Sequence, residues 1–564
     1  GERSSAMKRT LIVLGIVITL CMILTACGGT PATTPATTAP QTTAPQTTAP
    51  ATTTTTPART TTPTAPAVTT ATPPVTMSTP RPTATPVQPQ YGGTFKQALR
   101  VGPATPLGYP IEAAPDAQAL AIHSLERLIR VKRGGFVEPL LATSWDIAGD
   151  GKSITFQLRK GVKFHDGTDF NAAAVKWNYD RVIEARRAPN YTSVDVLGEH
   201  TIRINLTGYQ NTSLTTLSSG TFSIISPTSS ERNGLAWTRL NPIGTGPFIF
   251  VQYDRDARLF FKRNPNYWDP GKPYLDGLQF DVIADETVRK LAFLKGDLHR
   301  LDISGLTARE LLDLNYKYWA EPGGTFVLIP DSKNADSPWS NLKVRQAASH
   351  AINREALAKG LGFGLMKPAY QAYPGFEVAV LPNLVKHEFN PAKAKQLLAE
   401  AGYPNGFQTS IHTFLRVISR DYTTAVAKML TDVGIRATPE FPEAGKYDEM
   451  RYGGWKNSLM AHGLASFDNF NTFFNFYFGA MSFPSVKTPA GFTEAVNATL
   501  NSKEFDPQLF RAVLKLMEDD LMYIPYVEEI VTSFYQKGVH DPGGEIIGRL
   551  AFISDLAWME PSAR

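Results

Sequence analysis

Phe164-His165-Asp166-Gly167 sets an imidazole beside a carboxylate, the pairing that a general base and its orienting partner would need. Hydrolysis through that pair requires a nucleophile, and no G-x-S-x-G elbow occurs in the sequence. A metal route requires ligands at a fixed spacing, and neither H-E-x-x-H nor an EF-hand loop occurs. Asp-Gly between two strand-like runs reads more directly as a tight turn, since glycine accepts positive φ. Gly244-Thr245-Gly246-Pro247 lacks the lysine and the following helix of a phosphate loop and reads as a second turn. Arg345 lies in a helix-like run and reads as one half of a structural ion pair. Trp455, after Gly453-Gly454 at a strand end, offers a ring face for stacking on a bound molecule. His462 is a lone histidine, too little for a metal centre. The chemistry left is noncovalent binding: no enzyme activity, no cofactor and no metal are expected.

The chain has two cysteines, Cys21 and Cys27, both near its start. They exclude a disulfide framework and a cysteine-built zinc site for the globular part. Residues 1–6 read as an extension before Met7; Lys8 and Arg9 then precede a nearly all-apolar run from Leu11 to Leu24. That run is shorter than the roughly 20 residues a membrane span needs and fits the core of a signal peptide. Leu24-Thr25-Ala26-Cys27-Gly28-Gly29 resembles the lipobox of bacterial lipoproteins. The resemblance implies cleavage before Cys27, lipid on its sulfur, and a chain anchored on the outer face of the cytoplasmic membrane. An ordinary signal peptide with a chance cysteine is the bland alternative. Residues 28–90 are almost only Thr, Pro, Ala and Gln, with Arg59 and Arg81 their only charges. Such a stretch has too little apolar surface to offset its ordering entropy and reads as an extended tether.

The 564 residues are 42% hydrophobic and carry a formal charge of +5. Residues 1–26 hold three cations and one anion, so the remainder carries +3, without any long like-charged block. That balance does not point to nucleic acid. From Tyr91 the sequence turns globular and mixed α/β. Gly92–Leu99 reads as a first strand, 117–131 as a helix, and Ile154/Phe156/Leu158 and Ile202/Ile204/Leu206 as alternating strands. Asn171 caps a helix to about Arg187, and 248–253 with 257–262 form a hairpin. Helices follow at 344–352, from Asn390-Pro391 to Gly402, and at 421–433, with a strand at 435–438. Phe470, Phe473, Phe474 and Tyr477 share one helix face.

Five stretches, in order, resemble the family 5 extracellular solute-binding proteins of ABC importers. They are Leu141–Trp145 running on to Leu158–Thr168, Asn241–Phe248, Arg263–Trp268 with Lys272–Asp276, Val344–Leu357, and Asn390–Pro404. The resemblance implies a two-lobed periplasmic-binding-protein type II clamp of α/β class, with an extra subdomain on the first lobe. The expected division is a signal peptide at 1–26, a lipidated tether at 27–90, a first lobe at 91–325 with its subdomain at about 131–235, and a second lobe at 326–527. A C-terminal segment, 528–564, would return to the first lobe. The implied partners are a small molecule or peptide, the permease subunits of an importer, and the membrane through Cys27; the chain is expected to be a monomer. By the same resemblance Tyr109 and Tyr373 lie on loops lining the cleft. Peptide binders of the family place Trp and then Asp after the glycine that matches Gly463, the Asp holding the peptide's ammonium. Here Leu464 takes the Trp position and Phe467 the Asp position, with Asp468 and Asn469 just after. A one-residue loop shift would restore Asp468 to that role. A solute without a free amine (an oligosaccharide, an aromatic compound or a metal chelate) is the alternative, as is a sensory lipoprotein of the same fold.

Overall fold

Period-two burial along Ser153–Leu158 and Thr201–Leu206 is the pattern of strands with one face on a core. The computed structural model describes residues 88–132, 136–373, 379–415, 418–467, 470–480, 483–542 and 556–564. Its strands in chain order begin with β1 (Thr94–Leu99), β2 (Ile129–Val131), β3 (Val137–Pro139), β4 (Ala142–Ile147), β5 (Ser153–Leu158), β6 (Tyr191–Gly198) and β7 (Thr201–Leu206). Then come β8 (Phe248–Asp254), β9 (Arg258–Arg263), β10 (Gly277–Val282), β11 (Arg300–Ile303), β12 (Lys317–Pro330), β13 (Met366–Pro368), β14 (Phe407–Thr413), β15 (Ile435–Glu440), β16 (Leu459–Ala465) and β17 (Ile524–Tyr535).

The main sheet runs β15-β14-β16-β12-β17-β11-β1-β10-β9-β8, with β13 also on β17. The long strands β12 and β17 form its centre. They pair antiparallel from Lys317↔Tyr535 to Leu328↔Ile524, and their register breaks between Pro322 and Gly324 and again between Phe326 and Val327. Such breaks bend and twist a ladder. On one side Phe95, Leu278, Phe280 and Phe261 make a core beneath β1, β10 and β9. On the other, β12 is buried on both faces, so its residues alternate between two cores. Phe326 and Leu328 join Trp339 and Tyr422, while Val327 and Ile329 join Tyr373, Phe473 and Tyr477. A separate antiparallel sheet, β4-β5-β7-β6, packs Ile154, Phe156 and Ile204 against Val175 and Tyr179 of the helix Ala172–Glu184. Among the described residues no helix is long and apolar enough to cross a membrane.

The helices expected at Asn171, Asn390 and 421–433 form, with Asn171 and Asn390 each accepting a backbone N–H at the cap. The helix expected over 117–131 does not. It spans Pro115–Ala121, and Ile129–Val131 is instead strand β2, paired with β3. Tertiary hydrogen bonds override the local periodicity here. Ser124 donates to Phe248 O, and buried Glu126 accepts from Thr245 Oγ1, Tyr267 Oη and Trp268 Nε1, each at 2.8 Å. Gly244 and Gly246 press on the same turn, where a Cβ on either would lie within 3 Å of the backbone of 123–124. The Gly-Thr-Gly and Tyr-Trp motifs are thereby fixed to one carboxylate.

Phe164–Thr168 is the expected turn, closed by Phe164 N to Thr168 O, with Gly167 at positive φ. His165 Nε2 meets Gly246 O at 2.9 Å, and burial pushes its imidazole down to about 4. Burial pushes the Asp166 carboxyl up, but donation from Ser226 and Thr168 outweighs it and holds the group below its ordinary value. The two side chains serve the fold separately. Arg345 is buried, 3.0 Å from the Asp520 carboxylate, and donates to the carbonyls of Asp520, Trp339 and Ser340.

Two outcomes follow from these anchors. Glu126→Ala removes the acceptor of buried Thr245 and of half-buried Tyr267 and Trp268 and should cost about 1–3 kcal/mol, read as a lower urea midpoint. Burial pushes the Glu518 carboxyl up to about 8 while it accepts from Ala372 N. The folded chain therefore holds a proton there that the unfolded chain releases above about 4.5, and stability falls as pH rises from about 4.5 to 8. Glu518→Gln keeps an acceptor and cannot ionise. Its melting midpoint should exceed that of the wild type by more at pH 8.5 than at pH 6.

Candidate functional site

Strand direction decides where a site can form. β16 runs antiparallel to β12 and ends with Ala465 opposite Gly324; β14 and β15 run parallel to β16. β1 runs parallel to β11, which is antiparallel to β17, so β1 runs the same way as β12. Its carboxyl end therefore points from the Lys317 end of β12 toward the break at Pro322–Gly324. β16 points at the same break from the other side. Open α/β sheets bind ligands outside the carboxyl ends of their strands. Here those ends converge from both halves of the sheet on one junction.

Two loops leave these ends. Residues 100–114 follow β1 and carry Tyr109, half-buried against the core that contains Phe95 and Leu107. Its carbonyl accepts from Glu112 N and Ala113 N, and the Glu112–Arg239 ion pair stands beside it. Burial pushes the Tyr109 hydroxyl up, against the pull of Arg181.

The loop after β16 carries Ser466 and Phe467. Ser466 Oγ donates to Pro322 O at 3.0 Å and its N–H reaches Gly323 O at 3.4 Å, so the loop is tied to the break in β12 itself. A Cβ at Gly324 would stand 2.7 Å from Leu464 O, so β12 and β16 approach this closely only with glycine there. Phe467 is half-buried, with its ring 5.4 Å from that of Phe476. Its carbonyl accepts from Tyr373 Oη at 3.3 Å. Tyr373 is itself fully buried, edge-on to Phe473 and Phe510. Tyr477 Oη accepts from Ala465 N at 2.7 Å and braces the end of β16.

The structure thus brings Tyr373 and Phe467 together, while Tyr109 lies in the loop after β1, against the core of that half of the sheet. Trp455 stands elsewhere: it precedes the amino end of β16, is buried, and meets Phe483 edge-on. Asp468 and Asn469 lie outside the described residues, as does Cys27. His462 is a core residue, with Nδ1 2.9 Å from Tyr447 Oη and burial pushing its imidazole down to about 3. Among the described residues no three His, Cys, Asp or Glu side chains group as a metal site. Ser466 and Tyr477 escaped the sequence reading as site residues. The signal for the junction was Pro322-Gly323-Gly324, a breaker triplet inside a strand pattern. What the arrangement offers a guest is aromatic faces and backbone polar groups on two banks.

Residues 137–483 match the bacterial extracellular solute-binding proteins, family 5 Middle. The glutathione-binding protein GsiB of Escherichia coli O1:K1 / APEC is 28% identical over 456 residues, 75% of this chain and 86% of its own. The periplasmic binding protein DppA from Helicobacter pylori, solved with the peptide STSA, superposes with a TM-score of 0.68 at 23% identity. That match covers 84% of this chain and 99% of DppA. NikA from Brucella suis, solved with Fe(III)-EDTA, gives 0.70 at 23% identity, covering 82% and 100%. The fold is the two-lobed type II clamp of these binding proteins. The chain belongs to the bacterial extracellular solute-binding proteins of family 5.

Proposed function

We propose that this protein captures a peptide between its lobes, outside the cytoplasm, and delivers it unaltered to an ABC importer. The observation that carries the reading is the convergence of strand carboxyl ends on a break in β12, with a loop from β16 bonded to that break. A hinge of this kind lets the banks close on a solute, and contacts made only in the closed state supply the affinity. Peptide is favoured because GsiB is named for glutathione and DppA was solved with STSA. The first lobe spans 91–325 with its subdomain at about 131–235, the second 326–527, and 528–564 returns to the first. Cys27 carries the lipid and 28–90 the tether, and the protein acts as a monomer without catalysis. Tyr109, Tyr373, Phe467, Asp468 and Asn469 form the solute-binding set; Trp455, buried before the far end of β16, stands outside it.

Native mass spectrometry of the freshly purified chain, then calorimetry with glutathione and a panel of di- to tetrapeptides, tests this. Peptide recovered unchanged supports it; peptide recovered cleaved, or no binding across the panel, overturns it. If the peptide's ammonium is held, Asp468→Ala weakens binding by at least about 1.5 kcal/mol, more than tenfold. Unchanged affinity removes Asp468 from the site and favours a solute without a free amine. Tyr373→Phe, which releases Phe467 O, should weaken binding by about threefold to tenfold, with little change in melting midpoint.

A further inference from the structure

Asn211 stands just before the helix Thr212–Leu217, where an asparagine side chain commonly accepts a backbone N–H of its own helix. It makes no such bond. Its backbone N–H donates to Leu500 O at 3.0 Å, and its Nδ2 donates to Thr499 O and to Ser502 Oγ, the latter at 2.9 Å. Those acceptors lie at the C-terminal turn of the helix Phe492–Asn501. Carbonyls there lack intrahelical partners, and the helix dipole presents its negative end. Asn211 is buried. Leu214 and Leu217 of its helix pack into the core of the β4-β5-β7-β6 sheet, whereas Phe492 and Leu500 belong to the aromatic core behind Tyr373. The contact joins residues 288 positions apart, outside the β12–β17 ladder.

We propose that Asn211 is a positioning residue for solute retention, latching the first-lobe subdomain onto the C-terminus of helix 492–501 in the closed clamp. The inference rests on the capture reading above and on its lobe boundaries. The latch does not select a solute. It adds to the closed state alone, so it raises affinity for every solute that needs closure, and it does so through the dissociation rate. An amide suits the task because it presents donors to carbonyls. A carboxylate at 211 would face the negative end of the dipole and repel it.

The test uses the full chain and Asn211→Ala, with Asn211→Asp as the stronger perturbation. With glutathione at saturating concentration, hydrogen–deuterium exchange over 209–213 and 498–503 should be higher in both variants than in the wild type, while β5 and β7 stay protected. With glutathione as probe, dissociation should speed by about tenfold in Asn211→Ala and further in Asn211→Asp, with the association rate unchanged. Unaltered exchange over 498–503 overturns the latch, as does loss of protection spreading into β5 and β7, or an affinity loss carried by association. Linked exchange that neither glutathione nor the peptide panel alters in the wild type leaves a contact of the fold. That outcome overturns the role in retention together with the capture reading.

Discussion

Two strands, β12 and β17, must serve both halves of one sheet, and the rest of the molecule depends on how they do it. A regular ladder over that length would be a stiff plank. The register breaks at Pro322–Gly324 and at Phe326–Val327 interrupt it near its middle. The composition at the first break permits nothing bulkier: a Cβ on Gly323 would lie 2.4 Å from Val531 Cγ2. Proline removes one donor from the ladder there, and glycine removes steric resistance to bending. The softest point of the sheet is therefore also the point at which β1 and β16 aim their carboxyl ends.

The halves on either side are held rigid by buried charge as much as by apolar packing. Glu126 gathers three donors, and Arg354 donates to the carbonyls of Ala369, Pro525, Ser349 and His387. A buried ion is tolerable only when its hydrogen-bonding capacity is met, and meeting it fixes the position of every partner. Arg354 pins the strand leading into Tyr370–Tyr373 from one side, and Glu518 holds Ala372 from the other. The Tyr373 hydroxyl consequently arrives at Phe467 O on a backbone that cannot drift. Rigid banks and a soft crossing are what a hinge needs if a small change at β12 is to move whole lobes.

Much of the scaffold was legible in the sequence because local signals and tertiary demand agreed. Asn171, Asn390 and the alternation in 154–158 and 202–206 are examples. The helix read over 117–131 failed where they disagreed, since the Glu126 cluster draws its partners from residues more than a hundred positions away. The site was legible mainly through its resemblance to a family. Tyr373 and Phe467 are 94 residues apart, and nothing in either neighbourhood announces their hydrogen bond. Trp455 illustrates the opposite difficulty. A ring at a strand end looks available for stacking, but whether the amino end of β16 faces the junction or points away depends on its pairing with β12, which a single sequence does not reveal.

Affinity and specificity separate in this architecture. On the capture reading proposed above, Phe467 and the Tyr373 that bonds its carbonyl discriminate between solutes. Ser466 at the break and Asn211 at the far seam would instead act on the open–closed balance, which every solute shares. Ser466 bonds its loop to Pro322 O and Gly323 O, so on the capture reading a shift of that loop toward a guest would load the break in β12. Such coupling needs no pathway through the cores, because the sensing loop and the flexing strand share a hydrogen bond. On that reading, a change of rim residues would alter what is carried without touching the bonds that govern closure.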